Sequence, residues 1–154
     1  MWKEEIYEMG KNFLHTIFVF SFCIVCLFCF GQNNDAAKLI GKKWKLFAFV
    51  NVEDNQYEIV ELPYKPTIEF YNNGEFGGYD GCNTFGMGKY QTKQDSITIS
   101  TDRNTESTKI YCVETHRKEI EDKYNTFLRK AIKFTIKQDS LNLFYGENGK
   151  MIFY

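Results

Sequence analysis

Residues Gly74 to Tyr90 read GEFGGYDGCNTFGMGKY, with six glycines, one cysteine and four aromatics in a single stretch. Glycine at this density marks backbone that turns through positive φ or lies against another segment, where a Cβ would clash. Immediately before it, Thr67–Tyr71 alternates polar and apolar residues at period two, the pattern of a half-buried strand. Asn72-Asn73-Gly74 supplies a hairpin turn, because an Asn-Gly pair tolerates positive φ, and Glu75–Tyr79 returns antiparallel. After it, Lys89–Lys93 alternates more weakly, with Tyr90 and Thr92 on one face. A rigid sheet therefore holds a Gly-Cys-Asn corner in place.

The same periodicity extends outward. In WKLFAFVNV, Trp44, Leu46, Ala48 and Val50 share one face while Phe47 and Phe49 occupy the other, so this strand is central or covered. Tyr57–Leu62 reads as a second strand, broken by Pro63 and Pro66. Beyond the corner, Lys89–Lys93 and Ser96–Ser100 form a hairpin turned at Gln94-Asp95. Lys133–Lys137, Leu141–Tyr145 and Lys150–Tyr154 close the chain as strands. Between that hairpin and the closing strands, Ile120, Tyr124, Phe127, Leu128 and Ala131 trace one helical face, with Lys118, Asp122, Asn125 and Arg129 opposite and Thr115 placed to cap the start. The expected fold is α+β: a strongly curved antiparallel sheet or partial barrel of about eight strands, with one amphipathic helix packed on it.

The N-terminus reads as an address. Phe13 to Phe30 contains no charged residue, Lys11 precedes it, and Gly31-Gln32-Asn33-Asn34-Asp35 follows as a polar break. That layout predicts a secretory signal over residues 1–31, with an uncleaved membrane anchor as the alternative. Residues 32–38 then form a linker and residues 39–154 the domain. Loss of residues 1–31 leaves acids and bases in equal number, one histidine (His116) and two cysteines, Cys82 and Cys112. The full chain carries a formal charge of −1 with acids and bases mixed throughout, which gives no electrostatic case for nucleic acid.

These subtractions also restrict chemistry. His116 with Glu114 and Glu119 is a thin basis for a metal, which needs three or four convergent ligands. Asp80 beside the corner has the character of an acid or base, but Asp next to Gly is also ordinary turn chemistry. The glycine corner lacks the Lys-Ser/Thr of a phosphate loop, and no helix begins directly after it. The aromatics Tyr71, Phe76, Tyr79, Phe85, Tyr90 and Tyr111 are mostly core by default, with a surface patch as the alternative for a minority of them.

The order Trp44-x-Leu46, Pro66-Thr67-x-x-Phe70, Gly78-x-x-Gly81-Cys82-Asn83, Gly88-x-Tyr90, Thr108-x-x-x-Cys112, an amphipathic helix and Leu141-x-Leu143 resembles the META/HslJ-like family over roughly Leu39 to Tyr154. Two departures stand out. An extra residue separates Asn83 from Gly88, and the segment Thr108-Lys109-Ile110-Tyr111-Cys112 stands where the family usually has Thr-x-Met-Ala-Cys. The resemblance implies a small exported or envelope domain with a stress or interaction role and no established enzymatic activity. Its motif loop would be Gly78, Gly81, Cys82, Asn83, Gly88, Tyr90 and Thr108.

The expectation is thus a non-catalytic exported domain, with no catalytic residues, cofactor or metal, and a partner within the envelope. Membrane contact would come only through an uncleaved N-terminal segment. A lipocalin-like carrier of a small apolar ligand is the alternative, since a curved aromatic-rich sheet would enclose one. Cysteine count and an oxidising compartment together predict a Cys82–Cys112 disulfide, against the alternative of two buried free thiols.

Overall fold

The computed structural model describes residues 35–101 and 106–154. The expectations for residues 1–31 lie outside the described residues.

A five-residue helix, α1 (Asp35–Leu39), opens the described chain, in a stretch read from sequence as the end of a linker. Leu39 is fully buried, and its carbonyl accepts a hydrogen bond from the Trp44 indole at 3.1 Å. Ten strands and one long helix follow. The strands are β1 (Lys43–Asn51), β2 (Gln56–Ile59), β3 (Thr67–Phe70), β4 (Glu75–Tyr79), β5 (Thr84–Lys93), β6 (Ser96–Ser100), β7 (Glu106–Ser107), β8 (Ala131–Lys137), β9 (Ser140–Tyr145) and β10 (Gly149–Phe153); helix α2 (Thr115–Arg129) lies between β7 and β8.

Eight of the strands form a closed antiparallel barrel in the order β1-β3-β4-β5-β6-β8-β9-β10, and β10 pairs back onto β1. Closure runs from Leu46↔Phe153 to Asn51↔Gly149. The other edge of β1 is divided: Lys43–Lys45 pairs with β3, and Ala48–Asn51 pairs with β2, which stands outside the ring. The two-residue β7 likewise flanks β5. A closed ring leaves no free edge in the barrel proper, which removes the template for intermolecular pairing.

Burial along β1 follows the alternation read from its sequence. Trp44, Leu46, Ala48 and Val50 are essentially inaccessible, and Phe49 is also buried. Phe47, on the other face, packs against Tyr154 with ring centroids 5.4 Å apart. The interior is filled by Trp44, Phe70, Phe76, Phe134 and Phe153 together with Leu and Ile side chains.

Helix α2 delivers Ile120, Tyr124 and Leu128 into this same core. The tyrosine stands between Phe85 and Phe153, with centroids at 6.2 and 6.5 Å. Its hydroxyl donates to the Thr67 carbonyl on β3 at 3.0 Å. Such a buried phenol has its polar tip satisfied while its ring is packed. Three details differ from the sequence reading. Phe127 is only partly buried, edge-on to Phe49 and stacked on Tyr145 at 4.0 Å. Ala131 begins β8, because the helix ends at Arg129. The cap position is Glu114, with no side-chain cap, and Thr115 is the first helical residue.

Candidate functional site

The corner is built from a short turn between two strands. Strand β4 ends at Tyr79 and β5 begins at Thr84, so only Asp80–Asn83 lies outside the ladder. From sequence, the strand after the corner reads as starting only at Lys89. Instead, Phe85–Gly88 belongs to β5, where Phe76↔Gly88 and Gly78↔Phe85 bracket a bulge. One residue of β4, Gly77, faces two of β5, Gly86 and Met87, and Met87 takes a positive φ of 60°. A bulge is how a strand absorbs one extra residue without losing register beyond it. The extra residue between Asn83 and Gly88 is accommodated there.

Glycine is required at Gly78 by close approach. A Cβ there would lie 2.0 Å from the Thr67 carbonyl oxygen on β3. At Gly88 the Phe76 ring covers the backbone, within 2.4 Å of where a Cβ would sit. Gly81 adopts φ +105°, a conformation that L side chains rarely take, and it turns the chain from Asp80 into Cys82.

Asp80 is 4% exposed and holds the turn together. One carboxylate oxygen accepts from the backbone N–H of Cys82 at 2.9 Å and of Asn83 at 2.6 Å, an Asx-type arrangement. The other accepts from the Asn125 amide on α2 at 3.0 Å. Asn125, assigned from its spacing to the solvated side of the helix, is therefore a tether from helix to corner.

Asn83 does the complementary work. Its carbonyl oxygen accepts from the Ile110 N–H at 2.7 Å and the Thr108 hydroxyl at 3.1 Å. Its amide donates to Glu121 on α2 at 3.2 Å and to the Ile110 carbonyl at 3.4 Å. The Thr108 hydroxyl also accepts from the Thr84 N–H at 3.1 Å, and the Thr108 N–H donates to the Thr84 carbonyl at 3.0 Å. Asn83 and Thr108 thus replace a strand ladder where Lys109–Val113 has no regular structure. Tyr90, farther along β5, packs edge-on against Phe70 at 4.9 Å and donates to the Tyr71 carbonyl at 2.9 Å.

Cys82 and Cys112 are joined in a disulfide, with Cα atoms 5.9 Å apart. That separation lies within the range a disulfide spans without backbone movement. Cys82, Cys112 and Glu121 are the metal-type donor cluster among the described residues, and two of those three ligand atoms are bonded to each other. His116 is exposed, 4.0 Å from Glu119. Of the six aromatics read as mostly core, Phe76 and Phe85 are buried and Tyr79 and Tyr90 partly so. Tyr71 is exposed, and Tyr111 stands 85% exposed beside Ile110 and Val113.

Burial is the main electrostatic effect here. It pushes the Tyr124 phenol well above its ordinary value, and the nearby Asp80 carboxylate adds to the shift. Both act in the same direction because a buried phenolate near a carboxylate would be doubly unfavourable.

The closed barrel, the interior helix face and the bonded Gly-Cys-Asn corner define a class of small antiparallel β-barrel domain. The META domain family matches residues 37–154, and the chain belongs to that family. Solved structures share the fold. A protein from Burkholderia xenovorans, solved by NMR, superposes with a TM-score of 0.62 at 19% identity, covering 77% of this chain and 84% of that one. A duf4847 family protein from Bacteroides vulgatus, seen by crystallography, gives a TM-score of 0.52 at 17% identity over 75% and 92% of the respective chains. No curated protein matches the chain.

Proposed function

We propose that this META domain is a non-catalytic module of an exported protein, working in the cell envelope or medium by binding, in a stress or interaction role. The observation that carries this is the Cys82–Cys112 disulfide, which uses both cysteines found outside residues 1–31. Stable disulfides belong to oxidising compartments. The polar groups of the corner support the non-catalytic part. Asp80 and Asn83 have their oxygens and amide engaged in joining β4, β5, residues 108–110 and α2, and a bonded Cys82 is no nucleophile. A lipocalin-like carrier has a barrel of this closed kind, but its ligand would need the interior that Trp44, Phe70, Phe76, Tyr124, Phe134 and Phe153 fill. Fractionation of the source cells with mass spectrometry of the native N-terminus tests the reading. Chains cleaved near Gly31 in the envelope or medium are expected; an intact N-terminus in the cytosol would overturn it.

A further inference from the structure

One end of the barrel carries an open groove of about 920 Å³ at the starts of β1, β3 and β5. Its lining includes Lys43, Lys45 and Lys65, the rings of Tyr64, Tyr79 and Tyr154, and no acidic residue. Among the described residues none of these three lysines makes an ion pair, whereas Lys89 pairs with Glu75, Lys118 with Asp122 and Lys133 with Asp95 elsewhere on the domain. The Lys65 ammonium lies instead over the rings of Phe47 and Tyr154, 5.6 and 6.0 Å from their centroids. A cation held on π faces keeps its full charge available to a ligand, unlike one neutralised by a carboxylate. Even with a carboxylate at the end of Tyr154, the lining stays net positive. In a chain of formal charge −1, that is a local concentration of positive potential in a concave site.

Thr67, which also lines the groove, is 6% exposed, and its buried hydroxyl has no partner among the described residues. The second groove, about 430 Å³ around Phe49, Tyr57 and Phe127, is different. Its Lys123 is already bonded to Glu58 at 2.6 Å.

We propose that the Lys43–Lys45–Lys65 groove binds a small organic anion, a carboxylate, sulfonate or phosphate carried on a planar apolar body. The ammonium groups take the anion, and the tyrosine rings with Leu62 and Pro63 take the body. Clefts that combine an apolar lining with a few convergent charged groups are the usual form of such sites. The inference rests on reading the domain as a binding module, but it does not depend on where the chain resides. Its failure would leave the compartment test above untouched.

The probe is 8-anilinonaphthalene-1-sulfonate, an aromatic sulfonate, titrated into the folded purified protein by fluorescence. Saturable one-to-one binding is expected. Lys43→Gln, Lys45→Gln and Lys65→Gln together should weaken it about tenfold with an unchanged thermal midpoint, from the loss of three partly screened attractions. Tyr64→Ala, at a 72% exposed ring, should weaken it about threefold without disturbing the fold. The charge-matched triple Lys93→Gln, Lys109→Gln, Lys137→Gln, outside the groove, should leave affinity within about twofold. Neutral N-phenyl-1-naphthylamine, the same body without the anion, should bind about tenfold more weakly than the sulfonate. The proposal is overturned by no saturable binding, by equal losses in the two lysine triples, or by a neutral probe that binds as tightly as the anionic one.

Discussion

Replacing Gly78 by alanine places a methyl group 2.0 Å from the carbonyl oxygen of Thr67, where ordinary contact begins near 3.4 Å. The obstructing atom is backbone, so no rotamer change relieves it. Strand β3 and strand β4 must part by more than an ångström at the Ile68↔Gly78 pair. Overpacking of this kind costs about 1–3 kcal/mol and at times more. The same carbonyl accepts the Tyr124 hydroxyl, so displacement of β3 also strains the bond that anchors α2, adding about 0.5–1.5 kcal/mol. The expected loss is about 1.5–4.5 kcal/mol, a large part of the stability of a domain this size. Gly86→Ala supplies the control: nothing lies within 4 Å of its Cβ position, and the change should stay within about 0.5 kcal/mol. Urea unfolding followed by Trp44 fluorescence measures both, the indole being 1% exposed. A Gly78→Ala loss below about 1 kcal/mol with unchanged m would refute the close β3–β4 approach.

Three further outcomes follow from the same packing. Leu128→Ala, at a fully buried position, should cost about 2–5 kcal/mol, whereas the half-buried Phe127 should cost less on truncation than a core phenylalanine's roughly 3–5 kcal/mol; the reverse order in urea melts would place the wrong helix face inward. Because the folded-state value of the Tyr124 phenol is raised, its contribution to stability is complete below pH 10.0 and is lost as pH rises toward that higher folded value. Tyr124→Phe should therefore flatten the alkaline slope by about 1.4 kcal/mol per pH unit, and an unchanged slope would mean the phenol is not buried. Reducing the Cys82–Cys112 bond, at a sequence separation of 30, should lower stability by about 3.7 kcal/mol on the chain-entropy account; urea midpoints that coincide with and without reductant would contradict it.

The strands were legible because burial on one face imposes a period of two, and the hairpin turns because Asn73-Gly74 and Gln94-Asp95 carry the required backbone. Gly74 has φ +76° and Gln94 has φ +59°. The helix was legible at Ile120, Tyr124 and Leu128 for the equivalent reason. Its last turn was not, because Phe127 and Ala131 continue the apolar spacing after the environment has changed to groove and strand. Ring closure by β1 and β10 left no mark either, since it joins segments about a hundred residues apart and depends on accumulated strand tilt and stagger. The β2 pairing stops at Ile59, where the apolar residues of the Tyr57–Leu62 reading continue on to Val60 and Leu62 in a non-strand segment that packs on the core. Within the site, Cys82 and Cys112 could be paired by count. The Asp80–Asn125 and Asn83–Glu121 links could not, because a polar side chain on a helix carries no periodic signal of what it meets. The lysine groove was equally hidden: Lys43, Lys45 and Lys65 look in sequence like ordinary solvated charges, and only the fold gathers them at one end of the barrel.

The central claim is that a bonded corner ties β4 and β5 to the segment that launches α2. The direct measurement is a thiol count at Cys82 and Cys112 in protein isolated from its source, unfolded under alkylating conditions without reductant and read by peptide mass. The account predicts that Cys82 and Cys112 escape alkylation and appear as one linked peptide pair. Two alkylated cysteines per chain at these positions would contradict it.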